Sequence, residues 1–168
     1  LNIFDSPLYL SRNDGLQIEQ RIIKRLVDIV FSIIGLVVLS PLFLVFAVAI
    51  KLTDGGPVFY KQRRLTIGGH QFWIYKFRTM IQDAEKRSGP RLAGEKDERI
   101  LPVGHILRRT RLDELPQLIN ILKGEMSLVG PRPERPELME IIVRDIPEFS
   151  YRLKVKAGLT GYAQIYGK

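Results

Sequence analysis

The chain has no cysteine, which removes disulfides, thiolate nucleophiles and cysteine-held metal sites from consideration. Its histidines number two, His70 and His105, too few and too far apart for a histidine-based zinc site. Any metal is therefore a hard ion held by carboxylates. The N-terminal stretch lacks the charged-then-apolar order of a signal peptide, and neither an internal repeat nor a low-complexity tract occurs. Acidic residues are also short, with 18 Asp+Glu against 26 Lys+Arg and a net charge of +8. Such a balance points to an anionic partner: nucleic acid, an anionic lipid surface or a phosphorylated small molecule.

What is present fits 168 residues of one domain with a real core. Residues 29–50, "IVFSIIGLVVLSPLFLVFAVAI", pass without a charge. As a straight helix rising ~1.5 Å per residue they would cover roughly 33 Å, enough to cross a bilayer. Pro41 removes a backbone donor, Ser40 can bond back to the freed carbonyl, and Gly35 is a weak helix former, so a bend at Ser40 and Pro41 is expected. Lys24 and Arg25 stand before the run and Lys51, Lys61, Arg63 and Arg64 after it, whereas a true span concentrates its cations on one side. A helix that dips into the membrane and returns suits both flanks. The alternative, a core helix of a soluble domain, needs surroundings that a chain of this size can scarcely provide.

Beyond "TDGGP" (residues 53–57) the composition turns polar. Two β-rich runs, "VFYKQRRLTI" and "HQFWIYKFRTM", flank Gly68-Gly69 and predict a hairpin. Residues 61–80 hold no acid. Residues 81–99 read as a short helix followed by a loop. Leu115, Leu118, Ile119 and Leu122 predict one apolar face of a helix over 114–123, with Asp113 as N-cap, Pro116 in the first turn and Gly124 as the C-terminal cap. The stretch "SLVGPRPERPE" (127–137) is expected to be irregular, "LMEIIVRDI" a short amphipathic helix, and "LKVKAGLTGYAQIYG" a strand, a turn and a strand.

The pair Asp113-Glu114 behind "RRTR" admits two readings. Acids at a helix start are stabilising by roughly 1 kcal/mol and need no further role. Yet Arg108, Arg109 and Arg111 lie close by, and a carboxylate held ionised there could attack a phosphorus whose charge the arginines and Mg²⁺ neutralise. A membrane helix beside a phosphate site suggests a lipid phosphate as one substrate.

These residues carry a resemblance. "KRLVDIV" followed by "SP", then "YKFRTM" (75–80), "LDELPQLINILKGEMSLVGPRP" (112–133) and "GLTGYAQIYG" (158–167) make the chain similar to the bacterial sugar transferases, the monotopic phosphoglycosyl transferases, over residues 20–168. The resemblance implies transfer of a sugar 1-phosphate from a UDP-sugar to a polyprenol phosphate such as undecaprenyl phosphate, with release of UMP. It matches Asp113 to the family's nucleophile and Glu114 to its partner, with Mg²⁺ at the pair. Arg108 and Arg132 match phosphate- and substrate-binding positions; Lys76 and Arg78 are further candidates. Ser40 and Pro41 match the break that makes the membrane helix re-entrant, with both ends on the cytoplasmic face of the bacterial inner membrane.

The implied fold is α+β, a re-entrant helix-break-helix at about 27–50 on a small cytoplasmic domain (51–168) with a hairpin and short helices. Residues 1–20 are expected to be a linker from an N-terminal membrane region, and the catalytic domain (21–168) to be C-terminally incomplete. The implied partners are the UDP-sugar, the polyprenol phosphate and membrane lipids, with homo-oligomerisation open and no nucleic acid. Two competing readings are a catalytically silent scaffold of a glycan-assembly complex, and a basic nucleic-acid-binding module stacking bases on Phe72, Trp73 and Tyr75.

Overall fold

The computed structural model describes residues 17–82, 84 and 97–166. Two helices come first, α1 (Ile18–Val38) and α2 (Ser40–Asp54), meeting at Leu39 with a bend of 60°. The bend has the expected chemistry. Pro41 cannot donate to the carbonyl four residues back, and the Ser40 hydroxyl donates to that same Val37 oxygen at 2.7 Å. Among the described residues no single helix is long and apolar enough to cross a membrane, although the bent pair reaches that mark by length and composition together. The pair is not a buried core element, because Val30, Phe31, Ile34, Val37, Leu44 and Val45 are all exposed. α1 begins inside the stretch expected as linker, and α2 continues to Asp54, where Gly55 caps it in the left-handed conformation.

The hairpin forms where alternation placed it. β1 (Phe59–Leu65) pairs antiparallel with β2 (Gln71–Phe77), from Phe59 opposite Phe77 to Leu65 opposite Gln71. Its turn uses Gly68 and Gly69 at φ 66° and 76°, a region closed to most side chains. One face buries Phe72 and Ile74 against Leu118 and Ile121. Phe72 therefore points away from Trp73 and Tyr75, so the three aromatics do not form one stacking face. At the other end Phe77 meets Phe43 and Phe46 of α2, ring centroids 5.1 and 5.8 Å apart, in a second core with Ile50, Leu101 and Leu107.

Next come α3 (Pro102–Thr110), a 3-10 turn (Leu112–Glu114) and α4 (Gln117–Lys123), which ends at Gly124 with φ 83°. The buried face of α4 is Gln117, Leu118, Asn120 and Ile121, rotated from the apolar stripe expected from spacing. Asn120 explains the rotation. Its side chain accepts from the Tyr75 N–H at 3.0 Å and donates to the Trp73 carbonyl at 2.7 Å, so a polar residue is drawn inward to complete the free edge of β2.

Two sequence expectations fail further on. The proline-rich stretch is not wholly irregular: β3 (Ser127–Val129) pairs in parallel with β4 (Gly158–Thr160). The segment expected as strand-turn-strand is the end of a 3-10 stretch (Pro147–Lys154), then β4, then a helical turn, α6 (Tyr162–Tyr166). The amphipathic helix between them is present as α5 (Pro136–Asp145). The helix-and-loop reading of residues 81–99 lies largely outside the described residues.

α1 is fastened to this unit by its charged N-terminal half. Arg25 donates to the Ile121 and Leu122 carbonyls at 2.6 and 2.7 Å, acting as a side-chain cap on α4, and Lys24 donates to Val129 O at 2.9 Å. Asp28, 4 % exposed, accepts from Ser127 Oγ at 3.0 Å and from the Leu128 N–H at 2.9 Å.

Candidate active site

The acidic pair is held by a turn. Arg111 closes α3 in the left-handed conformation, φ 57°, the one non-glycine residue of this kind among those described, and its guanidinium donates to Gln164 O at 3.0 Å. The reversal swings the chain into the 3-10 turn that carries Asp113 and Glu114. Asp113 is thus not the N-cap of α4. That helix starts at Gln117 behind Pro116, and no side chain caps it.

Glu114 is clamped. Its Oε1 accepts from Lys76 Nζ at 2.6 Å and from Arg132 Nη2 at 3.0 Å. Lys76 comes from β2, and Arg132 from the Pro131-Arg132-Pro133 segment after β3, so three distant stretches meet at one oxygen. Burial pushes the Glu114 carboxyl up, but the charge and hydrogen bonds of Lys76 and Arg132 together outweigh it, and the group ends below its ordinary value.

Asp113 has the opposite balance. Among the described residues no side chain hydrogen-bonds or ion-pairs with it, and burial lifts its carboxyl above the usual range. The positive charges of Lys76 and Arg108 oppose that lift, and the Glu114 charge adds to it. Arg108, exposed on the last turn of α3, acts on Asp113 through its field and forms no ion pair among the described residues.

Lys76, Glu114 and Arg132 line an open cleft of about 230 Å³ together with Arg64, Gln117 and Gly158. Asp113 adjoins this cleft through Glu114 without lining it. Arg132 also lines a second cleft of about 220 Å³ with Thr66, Glu134 and Arg152, so the Pro131-Arg132-Pro133 segment is a partition between the two.

Of the residues singled out from sequence, Asp113, Glu114, Lys76, Arg132 and Arg108 converge, and Arg78 does not join them. Arg78 is buried and forms a bidentate pair with Asp54, also donating to the Pro57 carbonyl at 2.6 Å, which ties the end of α2 to the hairpin. Ser40 and Pro41 stay with the helix break.

Sequence reasoning missed Arg64, whose guanidinium donates to Pro133 O at 3.1 Å and Gln62 Oε1 at 2.7 Å on the cleft wall. Strand alternation would have found it, because Arg64 shares its face with the site-facing Lys76 of the paired strand. Asp28 was also missed, though an acid at the edge of an apolar helix needs a partner. Among the described residues no group of three or more histidines, aspartates or glutamates that could hold a metal ion occurs.

This arrangement, a free carboxylate beside a clamped one at the rim of a basic cleft, is one that can receive a phosphate. The family model for bacterial sugar transferases matches residues 19–168, and the chain belongs to that family. It is 46% identical over 143 residues to the UDP-N-acetylgalactosamine-undecaprenyl-phosphate N-acetylgalactosaminephosphotransferase of Aeromonas hydrophila, covering 85% of this chain and 34% of the relative. It is 50% identical over 131 residues to a putative undecaprenyl-phosphate N-acetylgalactosaminyl 1-phosphate transferase of Bacillus subtilis, covering 78% and 73%. It is 42% identical over 161 residues to the UDP-glucose:undecaprenyl-phosphate glucose-1-phosphate transferase of Escherichia coli, covering 96% and 34%. The chain thus spans about a third of the Aeromonas and Escherichia relatives.

Proposed function

We propose that the chain is the catalytic unit of a phosphoglycosyl transferase that moves a sugar 1-phosphate from a UDP-sugar to a polyprenol phosphate and releases UMP. The observation that carries this reading is the division of labour in the acidic pair, with Glu114 fixed by Lys76 and Arg132 and Asp113 left without a cationic partner.

An Asp113 carboxylate oxygen attacks the phosphorus that bears the sugar. The bond from that phosphorus to the bridging oxygen breaks, and UMP leaves with that oxygen. An oxygen of the polyprenol phosphate then attacks the same phosphorus, the acyl-phosphate bond breaks, and the carboxylate is regenerated. Arg132 and Arg64 on the cleft wall and Arg108 beside Asp113 hold the diphosphate by charge, and Lys76 keeps Glu114 ionised. The donor set suits Mg²⁺: Asp113 and the Glu114 oxygen not engaged by cations are hard donors, and this ion ordinarily takes one or two carboxylates along with substrate phosphates. Bound there, it supplies neutralisation of charge on the diphosphate.

The bent α1–α2 pair is read as re-entrant over about 27–50, with the remaining domain on the cytoplasmic face of the inner membrane and 21–168 as the catalytic domain. Support comes from the exposed apolar surface of the pair, its 60° bend and the cations on both flanks.

The test is UMP release from a UDP-sugar with undecaprenyl phosphate and Mg²⁺, together with trapping of a radiolabelled phosphosugar on the protein. Asp113→Asn is expected to abolish the adduct and to lower turnover about a thousandfold or more. Full turnover by that variant would remove Asp113 from the role.

A further inference from the structure

One outward strip of the hairpin is unused by the proposed chemistry. Strand alternation puts Phe59, Lys61 and Arg63 of β1 on the same face as Phe77, Tyr75 and Trp73 of β2. At one end of this face Phe77 is covered by Phe43 and Phe46 of α2. Moving outward, Lys61 Nζ lies 5.3 Å from the Tyr75 ring centre, and the Arg63 guanidinium 5.2 Å from the Trp73 ring centre. Lys123, at the end of α4, also lies over the Tyr75 ring, 4.7 Å from its centre and 3.0 Å from its hydroxyl. Within one turn of Lys123, Arg25 of α1 holds the Ile121 and Leu122 carbonyls. α2 therefore meets the strip at its Phe77 end, and α1 meets the end of the helix that carries Lys123.

Three cations sit here without a salt-bridge partner among the described residues, and Trp73 is 49 % exposed. A half-exposed indole bracketed by cations is poorly explained by packing. Tryptophan and tyrosine favour the headgroup level of a bilayer, and cations beside them gain from anionic lipid. We propose that Lys61, Arg63, Trp73, Tyr75 and Lys123 form a contact for anionic phospholipid headgroups, which sets the orientation of the domain on the membrane that α1 and α2 enter. The proposal rests on the membrane reading of the helix pair and adds a second, electrostatic contact to it.

Trp73 is the sole tryptophan of the chain, so its fluorescence reports this strip alone. The full chain is reconstituted in phosphatidylcholine vesicles with or without phosphatidylglycerol. Co-flotation, quenching by a headgroup spin-labelled lipid and quenching by aqueous iodide are then read. In the anionic vesicles iodide quenching is expected to fall roughly threefold and headgroup quenching to appear, because each cation near an anionic surface strengthens contact about fivefold. The K61A/R63A/K123A triple variant, which leaves the acidic pair untouched, should lose both effects while still floating, and 0.5 M salt should weaken them. A chain that floats but leaves Trp73 equally open to iodide overturns the headgroup contact alone. Shielding as complete in phosphatidylcholine as in the anionic mixture, and unmoved in the triple variant, overturns the anionic assignment. A chain that does not float overturns the membrane reading and the contact together.

Discussion

Removing the Asp28 carboxylate tests whether α1 organises the candidate site. Asp28 Oδ1 accepts from Ser127 Oγ at 3.0 Å and Leu128 N at 2.9 Å, and both Asp28 and Ser127 are buried. In Asp28→Ala both donors lose their acceptor, at a cost of about 1–3 kcal/mol each. The hydroxyl can rotate towards another acceptor and the amide cannot, so the sum is nearer the lower half of that range. A second contribution is the loss of the negative charge facing Arg25 and Lys156, whose mutual repulsion it offsets. We expect roughly 3–5 kcal/mol in total, as for breaking other buried charge networks. For a chain of this size that is a fall in Tm of about 6–20 °C. Asp28→Asn keeps an oxygen acceptor and the side-chain volume, so about 1–2 kcal/mol is expected. Trp73 fluorescence on heating, in one fixed detergent or nanodisc, measures both variants. β3 leads directly into Pro131-Arg132-Pro133, so the Asn variant should also raise KM for the nucleotide sugar more than it lowers kcat. An Asp28→Ala chain that melts within a degree of the parent would refute the reasoning.

Two other substitutions test the same geometry. Lys76→Met removes the charge that most opposes the burial-driven rise of Asp113; the ionised form grows as pH rises through that raised value, so the acid limb of UMP release should move to higher pH. It also removes a clamp on Glu114. Glu114 sits below its ordinary value, so its pairing adds stability fully present above the ordinary glutamate range and lost as pH falls through the lowered value; Lys76→Met should flatten that acid-side loss in thermal melts. Gly158→Ala would place a methyl 2.1 Å from Gly130 N, against backbone that cannot step aside. A destabilisation of about 1–3 kcal/mol, with weaker nucleotide-sugar binding as Arg132 is displaced, is expected in melting and titration.

The parts legible in the sequence are those that local chemistry decides. The break at Ser40-Pro41 follows from one missing N–H and one hydroxyl beside it, and the hairpin from alternation around two glycines. The end of α4 follows from a residue that tolerates positive φ. The expectation for Asp113 failed because capping statistics weigh neighbours one turn away, whereas Arg111 in the left-handed region and Pro116 together wound a 3-10 turn ahead of the helix. β3 was invisible because a three-residue strand in a proline-rich stretch exists only through a partner 31 positions away, Ser127 opposite Gly158 (158 minus 127). The inward rotation of Asn120 likewise answers to an open strand edge that no helical spacing records. Residue types at the site could be named from sequence. Their allotment, with Arg78 tied to Asp54 and Lys76 to Glu114, required the fold.

The two adjacent carboxylates are driven apart in character by what each touches, and that separation bears on which of them can react. A carboxylate whose oxygen is shared by a lysine and an arginine is a weakened nucleophile, because attack must first break those contacts; Glu114 is in that position. Asp113 is partly shielded from water and has no cation on it, so its basicity is raised, and once ionised it carries less solvent to shed. Sequence reasoning held that the arginines and a helix terminus kept Asp113 ionised. In the structure Lys76 and Arg108 do favour the ionised form, while burial, the larger effect, lifts the carboxyl above its ordinary value. In the proposed mechanism the cations around the site limit the rise of the Asp113 pKa and also bind the diphosphate. Arrival of the diphosphate, in the proposed mechanism, draws Arg132 and Arg108 towards the phosphates. On this account the resting pair Arg132–Glu114 holds the arginine in place until the substrate claims it.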